Sequence, residues 1–63
     1  MNNYKIVDWQ KEIRRLCADF FPGRSRSRKI ADSVIEEVML TARPGDDEDI
    51  LYSRAQRKVV ARI

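Results

Sequence analysis

The sequence predicts an all-α fold, a small up-down-up bundle of three helices over residues 4–20, 26–42 and 47–62. Apolar residues recur at three- and four-residue steps in three separate stretches, the period of one helix face. The only two prolines and two glycines fall as pairs, Pro22-Gly23 and Pro44-Gly45, between those stretches. A residue that breaks the hydrogen-bond ladder followed by a permissive one marks a turn. Two short connections between helices of similar length favour antiparallel neighbours. A helical hairpin completed by a second copy of the chain is the alternative.

In the first segment, Ile6, Trp9, Ile13, Leu16, Cys17 and Phe20 form the apolar stripe. Lys11, Glu12, Arg14, Arg15 and Asp19 fall mostly elsewhere. Pro22 ends the helix and disfavours helical geometry at Phe21 before it. The second segment begins near Ser25 or Ser27, either of which offers an N-cap hydroxyl. Ile30, Val34 and Val38, with Ala31, Ile35, Met39 and Ala42, make two adjacent rows along it. The third opens on Asp46 as N-cap, with Asp47, Glu48 and Asp49 in a first turn where negative charge is favoured. Ile50, Leu51, Ala55, Val59, Val60 and Ile63 supply its buried side, and Arg54, Arg57, Lys58 and Arg62 gather at the end where cations suit the helix dipole.

A chain of 63 residues makes one domain, 1–63, able to bury only about 60% of its unfolded surface. So small a core gains from a partner, which makes a homodimer an expectation. The apolar surplus expected at that interface is Trp9, Ile13, Val34, Val38 and Met39. Nothing at the N-terminus reads as a signal peptide, no apolar run approaches a membrane span, and the single cysteine excludes an internal disulfide framework. The expected setting is intracellular and cytoplasmic, with no membrane partner.

Chemistry has little to work with. No histidine is present, which removes the commonest general base and any histidine triad or zinc site. Cys17 sits among apolar neighbours as a small core residue. The acidic run 46–49 lacks the alternate ligands, central glycine and terminal glutamate of a calcium loop, and helix capping accounts for it. The sequence therefore predicts no enzyme, no cofactor and no metal.

Charge is more informative. The stretch "RSRSRK" places Arg24, Arg26, Arg28 and Lys29 within six residues, at a helix start whose dipole already disfavours cations. Antiparallel packing would bring them to one pole with Arg14, Arg15, Arg54, Arg57, Lys58 and Arg62, ten of the thirteen Lys and Arg residues. A solvated charged face is the plain reading of such a run. Free amides, Ser25 and Ser27 hydroxyls and several arginines also make a phosphate receptor. The expectation is a binding or regulatory protein that holds the DNA or RNA backbone through Arg24, Ser25, Arg26, Ser27, Arg28 and Lys29, extended by Arg57 and Lys58. Helix-turn-helix readout is disfavoured, because the second helix carries no Asn or Gln to pair with adenine. The alternative is an adaptor or inhibitor that docks a protein through its apolar helix faces or acidic pole. Ser25 and Ser27 are also candidate phosphorylation sites, where a phosphate would reverse the local charge.

Overall fold

The computed structural model describes residues 6–63, which fold as three helices: α1 (Trp9–Phe20), α2 (Arg24–Thr41) and α3 (Glu48–Val60). Each packs against the other two. The expected start of the first helix at Tyr4 lies outside the described residues, and Ile6, Val7 and Asp8 are not helical. Asp8 sets the boundary. Its backbone is extended and its side chain accepts the Lys11 amide at 3.2 Å, so it caps α1.

Helix α2 begins two residues earlier than the serine caps predict. Gly23 occupies the cap position with φ 90°, and Ser25 and Ser27 lie inside the first turns. In α3 the cap moves one residue on: Asp47 accepts the Ile50 amide at 3.0 Å. Asp46 is taken by the turn before it, where its carboxylate accepts the Arg43 amide at 3.0 Å and meets the Arg54 guanidinium at 3.1 Å. The Arg43 amide and guanidinium Arg54, in that order, hold Asp46 below the usual carboxylate range.

Helices α1 and α2 run antiparallel. Gln10 near the start of α1 meets Met39 near the end of α2, and Arg14 meets Asp32 at 2.6 Å. Helix α3 starts against α1, where the Glu48 carboxylate accepts the Trp9 amide at 2.8 Å. A first-turn amide of one helix is thus satisfied by a first-turn acid of another.

The core is built from all three stripes: Trp9, Ile13 and Cys17 of α1, Ala31, Val34, Ile35 and Val38 of α2, Ala55 and Val59 of α3, closed by Phe21. Leu16, Ile30, Leu51 and Tyr52 pack around it. This corrects the expected interface. Trp9 is 5% exposed and Ile13, Val34 and Val38 are fully buried, so four of its five residues are consumed inside one chain. Two partner helices cover most of each stripe, while Phe20, Met39, Ile50, Val60 and Ile63, which the apolar spacing placed on the stripes, stay exposed. Of the five expected interface residues, Met39 alone stays exposed, beside Leu40.

Candidate functional site

The site is made by the way α1 hands over to α2. Pro22 favours extended backbone at Phe21, whose amide still donates to the Cys17 carbonyl at 2.9 Å. The positive φ of Gly23 then turns the chain into α2, a conformation that side chains beyond glycine rarely adopt. The Gly23 carbonyl accepts the Ser27 amide at 3.0 Å, the first bond of the helix. With no side chain at the cap, the amides of the opening turn receive no side-chain oxygen, and no acid stands there.

Around this uncapped start stand Arg24, Arg26, Arg28 and Lys29, all exposed. None has a carboxylate within ion-pair distance among the described residues, whereas Arg14, Arg15, Arg54, Lys58 and Arg62 each have one. Arg24 and Arg28 are one turn apart and share a helix face with Asp32. With Arg14, Ser27 and Ala31 they line an open groove of about 360 Å³ between α1 and α2. The Arg14 guanidinium is held there by Asp32, so the groove presents two unneutralised cations and one paired one. Arg26 and Lys29 fall on other sides of the helix and fan the charge around its end.

Two of the predicted contacts change role. Ser27 is buried and its hydroxyl donates to the Arg24 carbonyl at 3.1 Å, so it braces the turn. Ser25 stays exposed. Lys58 meets Glu37 at 3.2 Å, and Arg62 reaches the other oxygen of the same carboxylate. The Lys58 hydrogen bond, reinforced by the nearby Arg62, holds Glu37 below the usual carboxylate range. Glu37 stands thirteen residues beyond Arg24 on α2, about 20 Å along the axis. The end of α3 is therefore drawn toward the C-terminal part of α2, and Lys58 does not join the groove. Arg57 is exposed and has no ion-pair partner among the described residues, and it lines a separate hollow with Asp49, Ile50 and Ser53.

The remaining candidates take structural roles. Asp47 caps, Glu48 ties α3 to α1, and no group of three or more Cys, Asp and Glu side chains is placed to hold a metal among the described residues. Cys17 is buried, and that burial raises its thiol pKa despite the opposing pull of Arg62 and Arg14. A protonated, enclosed thiol is a poor nucleophile. No helix among the described residues is long and apolar enough to cross a membrane.

The Arg14–Asp32 wall of the groove and the side-chain-free cap were not anticipated. Nor was the exposure of Phe20, which the α1 stripe placed in the core but which is 51% exposed. The apolar spacing of α1 gave no signal for it, because the stripe outruns its cover. Comparison with family models, curated protein sequences and solved structures returned no match to this chain.

Proposed function

We propose that this chain is a non-catalytic nucleic-acid-binding domain that holds backbone phosphates at the start of α2. One observation carries the reading. Four cations crowd the helix end where the peptide dipoles already disfavour them, no side chain caps that end, and Asp32, the acid in the groove, is paired with Arg14. Such an arrangement costs stability in the free protein and is relieved when an anion arrives. A phosphate in the groove would accept from the guanidinium groups of Arg24 and Arg28, with Arg14 recruited from Asp32 and the opening amides of α2 beside them. Arg26 and Lys29 would meet neighbouring phosphates.

Fluorescence anisotropy with labelled DNA and RNA, from about 50 to 200 mM salt, tests this. Wild-type protein is expected to bind with a steep salt dependence. Changing Arg24, Arg26 and Arg28 together to alanine should flatten the log–log slope by about two to three units. Flat traces for every probe at the lowest salt would sink the reading.

A second reading rests on a different surface. Val7, Met39 and Leu40 are exposed apolar side chains, and Leu40 is 80% exposed. A protein partner docking there would be lost in Leu40→Asp and indifferent to the arginine changes.

A further inference from the structure

The end of α1 offers two adjacent phenylalanines, and the core takes only the second. Phe21 is 6% exposed while Phe20, the last residue of the helix, keeps half its surface in water. Among the described residues it is the only exposed aromatic: Trp9 is buried, Tyr52 is packed against the core, and the other exposed large apolar groups are aliphatic. Phe20 sits on a helix whose final turn is closed by the Phe21 amide donating to Cys17.

Its position matters more than its exposure. Three residues separate Phe20 from Arg24, so the two Cα atoms lie no more than about 14 Å apart along the chain. A nucleic-acid strand a few nucleotides long covers that distance. The ring is thus carried by the residue that ends α1, four positions before Arg24, the first of the α2 cations.

We propose that the site takes single-stranded nucleic acid, with an unpaired base stacked on Phe20 while its neighbouring phosphates lie on Arg24, Arg26, Arg28 and Lys29. This rests on the phosphate-binding reading and adds to it a choice of strand form. Within a duplex the base faces are covered by their neighbours, so a phenyl ring finds no stacking surface there. In a single strand every base offers one, whatever its identity. The absence of Asn or Gln on α2 to read base edges fits such sequence-tolerant binding. A stacking ring beside a basic tract is the combination that single-strand binders use.

The test is anisotropy with a labelled oligothymidylate of about 12 nucleotides, an abasic strand of the same length, and the matching duplex. The proteins are the wild type, Phe20→Ala, Phe20→Trp and the triple arginine-to-alanine variant, each checked for retained helicity and melting. Phe20→Ala should weaken binding to the oligothymidylate by roughly five- to a hundred-fold and leave the abasic strand and the salt slope unchanged. Phe20→Trp should restore the affinity. If Phe20→Ala binds like the wild type while the arginine variant fails, stacking is overturned and phosphate binding stands. Equal wild-type affinity for duplex and single strand would overturn the strand preference in the same way. Wild-type protein that binds none of the three probes at low salt would overturn both.

Discussion

At the start of α3, Asp47 accepts the Ile50 amide and Glu48 and Asp49 fill the first turn. At the start of α2, Gly23 contributes no side chain and the first six residues carry four cations. Both helices face the same electrostatics: a partial positive charge and amides without partners. Helix α3 meets them with the residues that stabilise a helix: Asp47 caps it and Glu48 makes a tertiary contact with α1. Helix α2 does the reverse, and the same residues remain uncommitted. The difference separates sequence that serves folding from sequence that folding does not explain, and it is the reason a ligand is proposed at the α2 end.

Inverting the charge at α2 should give the largest effect. Arg24→Glu with Arg28→Glu makes the two starts alike, so oligonucleotide affinity should fall by more than about 100-fold while the fold gains about 1 kcal/mol. In a domain of this size that gain raises Tm by about 5 °C in thermal unfolding. A variant that loses stability would show that these cations are already neutralised within the fold, and the contrast would collapse.

The two caps provide a smaller test. Gly23→Ala forces a side chain into positive φ, and an added Cβ would meet only the Arg26 Cβ at 4.0 Å, so the cost is backbone strain. Urea unfolding should register about 1–2 kcal/mol for it. Asp47→Ala should cost about 1 kcal/mol through a lost hydrogen bond. A Gly23→Ala variant as stable as the wild type would remove the claim that α2 is set by its turn, and an unaffected Asp47→Ala would remove the claim that α3 is set by its cap.

The smallest effect concerns pH. Glu37 and Asp46 are held below the usual carboxylate range in the fold, by Lys58 first and by the Arg43 amide first, respectively. Their stabilisation is therefore fully present above the unfolded range near about pH 4. It is lost as pH falls through the lower folded values, because the unfolded chain binds more protons there. The urea midpoint should fall with acidification, and Glu37→Gln with Asp46→Asn should shallow that fall. The α2 cations pair with neither carboxylate, so their alanine variants should leave the slope unchanged.

Much of this was legible in the residues. The two Pro-Gly pairs and the three apolar stripes placed the helices to within a few residues, and the acids before Ile50 announced the start of α3. The errors have definite causes. Asp8 stood inside an apparently continuous period, and periodicity alone does not distinguish a cap from a helical surface residue. Ser25 and Ser27 are strong cap candidates, yet Gly23 comes first and its backbone takes the turn. Linear charge suggested one shared pole, but Glu37 draws Lys58 and Arg62 to itself.

The sequence by itself determined three amphipathic helices, their breaks, and a cationic α2 start opposed to an acidic α3 start, because spacing, turn residues and charge are local properties. Only tertiary packing decided that Trp9, Ile13, Val34 and Val38 would be spent in one chain's core. It alone paired Arg14 with Asp32 as the wall of a groove, and left Phe20 in water while burying Phe21. Those outcomes depend on which surfaces other helices cover, and where a cation finds its carboxylate across the fold. No stretch of residues read alone carries that information.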